Sequence, residues 1–445
     1  MSPVPLTIWT VCDGEPLPID DDVPRLLRTA ILSKLLASRG HAVVYWTSRF
    51  DHLRKKLRME EPSRVDSGQG YVIDCADCVP YQSSVSMARL KHNRIVARDM
   101  EARMRADPNR PDIIVADLPT LELAEMAGRL GQEWNVPVTV SIRDLWPDVF
   151  FTLLPGPLQA LGPLIFARWS ARAKRACRLA TSIVGISPGY LDWGLSCAGR
   201  AQGSNDAMIP LGYPARVPTD AVKTTQVQVQ LESRGVNFSR TLISFIGTFG
   251  RSYDLSTVIE AAKTLVTNCD VQFVLCGDGE RAADWRAEAR DLPNVVFPGW
   301  VDQLEIATLL DASSLGLAAY APGVKQGLPN KLFEYMSFGV PVISALGGEA
   351  ASEIKVHGFG RSYLAGNGVD LAQVLIAALA DPPGLTQMAV AAKERFDSTY
   401  RQSVVYQHYV DLVEHLVGGN PHRKVGSKGL IDTPVPEGRK ETQDV

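Results

Sequence analysis

The fold of the second half of the chain is decided by one stretch, Lys325-Gln-Gly-Leu-Pro-Asn-Lys-Leu-Phe-Glu-Tyr-Met-Ser-Phe-Gly-Val-Pro-Val-Ile343. The apolar run 315–319 just before it predicts a strand, and its own periodicity predicts a helix over 331–338. A second apolar run, 340–344, predicts the next strand. Strand, loop, helix and strand in this order form the unit from which parallel sheets are built.

The loop of this stretch has the features of an anion site. Gly327 and Pro329 precede the predicted helix, and Asn330 is placed to cap it. Free backbone N–H groups at a helix start suit the negative charge of a diphosphate. Lys325 and Lys331 add positive charge on either side of the loop.

Glu334 is the acidic residue of the same stretch, and we place it in the first turn of the predicted helix. Its carboxylate can accept hydrogen bonds from two vicinal hydroxyls, such as those of a ribose. The alternative is a glutamate that the helix dipole alone favours at this position.

Outward from this stretch, short apolar runs alternate with helical periodicity from residue 6 to residue 417. The alternation stops at 215–238, where the chain turns polar and irregular. We therefore predict an α/β protein with two Rossmann-like domains that face each other across a cleft. The predicted divisions are a first domain over 1–214, a linker over 215–240, a second domain over 241–400, a last helix over 401–417 and a disordered tail over 418–445.

Composition excludes several classes of function. The 445 residues are 45% apolar and carry a net charge of -3 at pH 7, whereas a general nucleic-acid binder would be basic. The first residues lack the pattern of a signal peptide, and no uninterrupted apolar run of about 18 residues predicts a membrane span. We therefore predict a cytoplasmic protein that binds no nucleic acid.

The pattern of cysteine and aspartate predicts neither a metal site nor a cofactor. The seven cysteines are odd in number, and the one CxxC, Cys75 and Cys78, has no second ligand pair near it. The run of three aspartates at 20–22 falls in a polar loop, where we expect it to be solvated.

Three further stretches of the second half carry glycine at strand ends. Phe245-Ile-Gly-Thr-Phe-Gly-Arg251 brings a backbone that can approach a phosphate and an arginine that can neutralise it. Cys276-Gly-Asp-Gly-Glu280 is a turn after a predicted strand, and Phe297-Pro-Gly-Trp-Val301 is a loop with an aromatic side chain. Each is a weak signal alone, because glycine-rich turns are common.

Taken in order along the chain, these stretches resemble the donor domain of glycosyltransferase family 4, which has the GT-B fold. In that family two glutamates separated by seven residues precede a run similar to Met336-Ser-Phe-Gly-Val-Pro-Val342. Glu334 matches the second glutamate, and Gln326 stands at the place of the first. Pro329-Asn330-Lys331 resembles the fucosaminyltransferase-like subgroup of bacterial surface-polysaccharide enzymes.

The resemblance implies a retaining, metal-independent transfer of a sugar from a UDP- or GDP-linked donor to a saccharide or lipid-linked acceptor. The implied donor-binding residues are Gly247, Gly250, Arg251, Gly277, Gly279, Trp300, Gly327, Leu328, Asn330, Lys331 and Glu334. The lysine that the family commonly has after the first glycine-rich loop is missing, so phosphate charge rests on Arg251 and Lys331. The amide of Gln326 would meet the donor sugar, unless Gln326 is an ordinary loop residue and backbone groups of Gly327 and Leu328 hold the sugar.

The first half resembles the same family less closely. Ile142-Arg-Asp-Leu-Trp-Pro-Asp148 is similar to an Arg-Asp-x-Trp-Pro stretch of the subgroup. The resemblance makes Asp144, with Gln326 and Glu334, a candidate catalytic residue that orients the acceptor hydroxyl or acts as a base. Plain loop packing around Trp146 is the alternative.

Gly14 and Glu15 of the first loop, with Arg28 or alternatively Arg25, resemble the part of the family that approaches both substrates. The GT-B family also implies that the last helix crosses back to the first domain.

The segment 149–178 combines apolar residues with a basic cluster. This composition suits contact with the anionic inner face of the plasma membrane, although a buried helix with a solvated basic face would look similar. Two rival functions also remain open: a GT-B sugar-nucleotide 2-epimerase, which needs no acceptor, and a non-catalytic partner that binds nucleotide-sugars.

Overall fold

A computed structural model of the chain describes residues 5–21, 25–83, 86–216, 220–267, 270–324 and 326–418. Three predictions fall outside these residues: the positive charge of Lys325, the solvation of Asp22 and the disorder of the tail beyond residue 418.

The first half is built around one large sheet. Within the described residues its strands follow the order β10-β9-β8-β7-β1-β2-β6-β5, and all neighbours are parallel except the edge strand β5. The strands of this half are β1 Thr7–Val11, β2 Ala42–Ser48, β3 Phe50–Asp51, β4 Lys56–Leu57, β5 Ser63–Asp66, β6 Val72–Ala76, β7 Ile113–Leu118, β8 Val138–Ile142, β9 Ser182–Gly185 and β10 Ala207–Met208. The helices are α1 Arg28–Ser38, α2 Met87–Ala106, α3 Leu121–Trp134, α4 Gly156–Gln159, α5 Gly162–Ile165, α6 Ala167–Leu179 and α7 Pro188–Ala198, with a 3₁₀ turn at Asp148–Leu153.

The second half repeats the plan with a smaller, fully parallel sheet. Its order among the described residues is β13-β12-β11-β14-β15-β16. The strands are β11 Thr241–Ile246, β12 Val271–Cys276, β13 Val295–Gly299, β14 Ser313–Ala318, β15 Val342–Ser344 and β16 Gly360–Ser362. The helices are α8 Ala221–Ser233, α9 Leu255–Leu265, α10 Ala282–Glu288, α11 Gln303–Ala312, α12 Asn330–Ser337, α13 Gly348–His357, α14 Gly368–Leu379, α15 Pro382–Arg395 and α16 Gln402–Gly418.

Each sheet has a point where the strand order reverses. In the first half this point lies between β1 and β7, and in the second between β11 and β14. Loops that leave such neighbouring strands diverge and open a crevice at the carboxyl edge of the sheet, where ligands of these folds bind. The loop after β1 holds Gly14, and the loops after β11 and β14 hold Gly247 and Gly327.

The segment 215–240, predicted as an irregular linker, contains a helix. Within 215–240 the chain forms helix α8, which buries Val227 and Leu231 against the core of the second half. The alternation Thr-Gln-Val-Gln-Val-Gln conceals the helix, because the two buried residues are four apart while the exposed Val229 lies between them. Most of this segment therefore packs with the second sheet.

Helix α16 lies on the first half, although it ends the second. Its residues Tyr406, Tyr409 and Val413 are buried in a cluster with Ile8 and Leu32. Helix α15 ends at Arg395 and continues as one π-helical turn, Phe396–Tyr400, before this crossing.

No single helix in the described part of the chain has the length and apolarity of a membrane span. One pair, Gly368–Leu379 with Pro382–Tyr400, qualifies by length and composition but is bent by 97°.

Candidate active site

Two glycine-rich turns of the second half fit directly against each other. Gly247 donates a backbone hydrogen bond of 3.0 Å to Cys276, and Gly277 donates one of 2.8 Å to Gly299. Gly277 has φ +145°, and a side chain there would overlap the carbonyl oxygen of Gly247. Gly279, at φ +151°, is also packed against backbone, since a side chain there would lie 2.7 Å from the carbonyl oxygen of Phe249. The turns therefore present backbone rather than side chains, which lets a ligand approach closely.

Arg251 and Trp300 project outward at this edge. The Arg251 side chain is 87% exposed, and its Nε lies 3.3 Å from Glu280. Trp300 is 71% exposed. Nothing lies within 4 Å of a side chain placed at Gly250, so the approach to the loop is open. A mobile, weakly paired guanidinium here is available for a phosphate.

We predicted that Lys331 adds positive charge to the anion site, but its side chain is buried. Its Nζ donates to the carbonyl of Ile246, lies 4.2 Å from the ring centre of Phe245 and sits beneath Gly247. Burial lowers the pKa of Lys331 to about 8. The ammonium therefore supports the end of β11, and any charge that it offers to a phosphate acts from beneath the loop.

The start of helix α12 differs from the prediction by one residue. Pro329 is the N-cap with ψ 152°, and Asn330, which is exposed, is the first helical residue rather than the cap. Within the described residues no side chain caps this helix start, and the N–H of Leu332 donates to Pro329, so the N–H groups of Asn330 and Lys331 remain for a ligand. Glu334 is then the fifth helical residue and not in the first turn, where the dipole would favour it.

Glu334 is hydrogen-bonded at the junction of the two halves. Its Oε1 accepts a hydrogen bond of 2.7 Å from the hydroxyl of Tyr213, and the guanidinium of Arg25 stacks 5.0 Å from the centre of the Tyr213 ring. Burial and the neighbouring Glu334 raise the pKa of Tyr213. Sequence reasoning missed Tyr213, because it lies 121 positions from its partner and in no motif.

The loop before α12 faces a second carboxylate, that of Glu349. Gln326 is exposed, Leu328 is half-buried, and a side chain at Gly327 would lie 2.6 Å from Oε2 of Glu349. Glu349 stands in the first turn of α13. A side chain at Gly327 would have to displace this carboxylate, which occupies the space of a Cβ.

Asp144 is held at the end of β8. Its carboxylate accepts hydrogen bonds of 2.9 Å from the Leu145 N–H and 3.1 Å from Nε1 of Trp146. Burial raises the pKa of Asp144. Trp146 is itself buried, with the guanidinium of Arg89 4.6 Å above its ring. Trp146 therefore both packs the loop and orients the carboxylate of Asp144.

Two predicted acceptor-side residues are buried inside the first half instead. Glu15 is 3% exposed and accepts hydrogen bonds from the Thr29 N–H and from Arg143. Arg28 is 2% exposed, donates to the carbonyls of Ile209 and Pro210 and lies over the ring of Tyr409. Neither placement fits the prediction that these side chains approach the substrates. Gly14, at φ +96°, remains at the loop.

A buried histidine next to this loop carries no sequence signal. Nε2 of His92 lies 2.9 Å from Oδ2 of Asp13, and Nδ1 lies 2.7 Å from the carbonyl of Val79. Burial opposes the charged form of His92, but the bond and charge of Asp13 raise its pKa, while the same pairing lowers the pKa of Asp13 to about 2. Asp13 and the carbonyl of Val79 thus fix the orientation of the imidazole, and Asp13 favours its charged form.

A group of metal-ligand types also meets in the first half: Cys12, Glu15 and Asp117. The Nη1 of Arg143 lies 3.6 Å from Sγ of Cys12 and 3.0 Å from Oδ2 of Asp117, so a guanidinium takes the central place.

The expectation of solvated aspartates is wrong for Asp20, which forms a buried ion pair of 2.6 Å with Arg58.

Comparisons with known proteins test the fold and the class of protein. Residues 240–381 match the family model described as "Glycosyl transferases group 1". No curated protein sequence matches the chain significantly. A sucrose-phosphate synthase from Thermosynechococcus elongatus superposes with a TM-score of 0.65 at 15% identity, over 93% of this chain and 100% of that one.

Two further solved structures are similar to the chain. HepE from Anabaena, in complex with UDP, superposes with a TM-score of 0.61 at 13% identity, over 92% of this chain and 99% of that one. WaaG, a glycosyltransferase involved in lipopolysaccharide biosynthesis, superposes with a TM-score of 0.56 at 15% identity, over 93% of this chain and 100% of that one. The predicted GT-B fold is therefore confirmed. The matched domain and these neighbours support an enzyme of the transferase class that moves a sugar.

Proposed function

We propose that the protein is a retaining, metal-independent glycosyltransferase that moves a sugar from a nucleotide-sugar to an acceptor in bacterial surface-polysaccharide synthesis. The observation that carries the proposal is the edge between β11 and β14. There the glycine-rich loop at Gly247, the uncapped start of α12 and the carboxylate of Glu334 meet, opposite Tyr213 of the first half.

The donor would lie on the second half. Its diphosphate would be met by Arg251, by the backbone N–H groups at the start of α12 and by the charge of Lys331 from beneath. Glu334 would accept the ribose hydroxyls with the carboxylate oxygen that Tyr213 leaves open. The complexes of HepE with UDP and with UDP-glucose support a nucleotide-sugar of the uridine type.

The acceptor would lie on the first half, where Asp144 stands at the carboxyl end of β8. The raised pKa of Asp144 suits a group that takes a proton from a hydroxyl, and Trp146 fixes its orientation. Retention follows from the resemblance to family 4 and is read from the anomeric configuration of the product. Proton NMR of that product decides it.

A membrane surface as the place of the acceptor is supported by 149–178. Leu164 is 77% exposed, and Leu161 and Ile165 are 47% and 46% exposed on the same short helical segment. Arg168, Lys174 and Arg178 follow and form no ion pair within the described part of the chain. Apolar side chains beside free cations suit an anionic bilayer, and WaaG supports a lipopolysaccharide role.

The test is a screen of purified protein against nucleotide-sugars, followed by mass spectrometry, with and without a saccharide or lipid-linked acceptor. We expect a glycosylated acceptor only when both substrates are present. A product from donor alone would instead favour the 2-epimerase. Binding without any product would favour a non-catalytic partner.

A further inference from the structure

Ser187 is a buried hydroxyl with no hydrogen-bond partner in the described part of the chain. It is 3% exposed and forms the N-cap of α7, yet it caps nothing. A buried hydroxyl without a well-aligned partner is unfavourable, so an acceptor with better geometry would stabilise it.

The start of α7 has free donors beside this hydroxyl. The helix runs for 11 residues, begins with Pro188 and has no side-chain cap. Its first N–H groups, from Gly189 onward, therefore point out of the helix without an intrahelical acceptor. Such a helix start carries partial positive charge and suits an anion.

The start of α7 faces the donor loop across the cleft. A side chain placed at Gly327 would lie 4.0 Å from Oγ of Ser187 and 2.6 Å from Oε2 of Glu349. Glu349 belongs to the second half, and its carboxylate stands close enough to Ser187 and to the Gly189 N–H for both to favour its charge. The Ser187 hydroxyl is nevertheless not aligned for a hydrogen bond. The chain thus places its own anion at an anion site, with imperfect geometry.

The surroundings of Glu349 make it a poor permanent occupant. Burial raises the pKa of Glu349, and the nearby carboxylates of Glu353 and Asp192 raise it further against the effect of Ser187. Displacing this carboxylate therefore costs less than displacing one that is held by well-aligned hydrogen bonds. Of the two predicted cations of the site that lie within the described residues, Lys331 is buried and Arg251 is exposed, so further donors would help to bind a diphosphate.

We propose that Ser187 and the first N–H groups of α7 form a diphosphate subsite, which Glu349 fills in the substrate-free protein and leaves when substrate binds. The proposal rests on the proposed function for its ligand, the diphosphate of a nucleotide-sugar or of a lipid-linked acceptor. By binding that diphosphate between α7 and the Gly327 loop, the subsite joins the two halves around the reacting groups.

The test is calorimetric titration with inorganic pyrophosphate and with UDP. Ser187→Ala should weaken binding about tenfold, because a hydroxyl that bonds a charged oxygen is lost. Glu349→Gln should strengthen binding about tenfold, because the competing charge is removed while the side-chain volume is kept. The exposed residues Ser196, on the same helix, and Glu394 provide the matched controls Ser196→Ala and Glu394→Gln, which should change nothing.

Unchanged affinity in Ser187→Ala, or weaker affinity in Glu349→Gln, would overturn the proposal. Melting temperatures show whether each variant is folded, and if Ser187→Ala is not, Glu349→Gln alone decides. A prenyl diphosphate titrated in parallel identifies the source: the variants alter UDP affinity if the donor uses the subsite and prenyl diphosphate affinity if the acceptor does. These titrations need no turnover, so the subsite can fail while the transferase stands, and the reverse.

Discussion

The hydroxyl of Tyr213, in the first half, donates a hydrogen bond of 2.7 Å to Oε1 of Glu334, in the second. This bond occupies one oxygen of the carboxylate and leaves the other for a ligand. It also connects the candidate ribose site to the segment that leads from the first sheet, where the backbone of Tyr213 pairs with Tyr400 and Gln402. A change at Glu334 therefore acts on both donor binding and the contact between the halves.

Glu334→Gln should weaken binding of the nucleotide-sugar by about 1–3 kcal/mol, because a charged acceptor of ribose hydroxyls becomes neutral. Calorimetry on the folded variant measures the change. Tyr213→Phe is the matched control: it removes the contact between the halves but leaves the carboxylate, so donor affinity should stay within a few-fold. Equal losses in both variants would assign Glu334 to the interface and remove it from the donor site.

Lys331 predicts a pH dependence of stability. Its pKa falls from 10.5 in the unfolded chain to about 8 in the fold, since burial disfavours the charge. Between these values the unfolded chain binds more protons, so the free energy of unfolding should rise with pH, by about 3 kcal/mol in total. Urea unfolding at pH 7.5 and pH 10 should show this rise in the wild type and its loss in Lys331→Met. The same pH dependence in both proteins would contradict the burial of a charged ammonium.

Gln326 remains a predicted contact of the donor sugar. It is exposed in the loop beside Gly327, where an amide can both accept from and donate to sugar hydroxyls. We expect Gln326→Ala to lower kcat/KM at least about tenfold and Gln326→Glu to keep activity within a few-fold, since the carboxylate is the stronger acceptor. Gln226→Ala, at an exposed position of α8, is the control. An alanine effect no larger than the control's would leave Gln326 without a role.

Membrane contact depends on which cations are free. Arg172 pairs with Glu122 and Glu125, and Arg175 pairs with Glu125, so reversing those two would disturb the fold. Reversal of Arg168, Lys174 and Arg178 to glutamate should instead weaken binding to anionic vesicles by about 1 kcal/mol or more per residue.

Sedimentation with vesicles at low and high salt measures the effect. The control reverses three exposed cations of the second half, Lys223, Lys263 and Arg290, and should bind as the wild type does. If the wild type fails to sediment even at low salt, the basic face is only a solvated surface.

The strands and several helices could be predicted because buried parallel strands are continuous apolar runs and amphipathic helices are periodic. Helices Leu121–Trp134 and Leu255–Leu265 begin and end where their periodicity does. The contacts that define the site could not be predicted in the same way. The pairs Tyr213 with Glu334 and Asp13 with His92 join residues 121 and 79 positions apart, and only the folded chain brings them together.

Charged residues misled the sequence reasoning for a physical reason. Lys331 and Arg28 are normally surface types, so the pattern gave no sign that backbone carbonyls and aromatic rings would hold them inside. Asp20 is similar, since its buried partner Arg58 lies 38 positions away.

The central claim is that a sugar moves from a nucleotide to an acceptor in the cleft between the two sheets, without a metal. The most direct measurement follows a nucleotide-sugar labelled with ¹³C in the sugar, incubated with acceptor and EDTA, by mass spectrometry. The account predicts labelled acceptor and free nucleoside diphosphate in equal amounts, with little of either from Glu334→Gln at subsaturating donor. Release of the nucleotide without labelled acceptor, or transfer that stops with EDTA and returns with Mg²⁺, would contradict it.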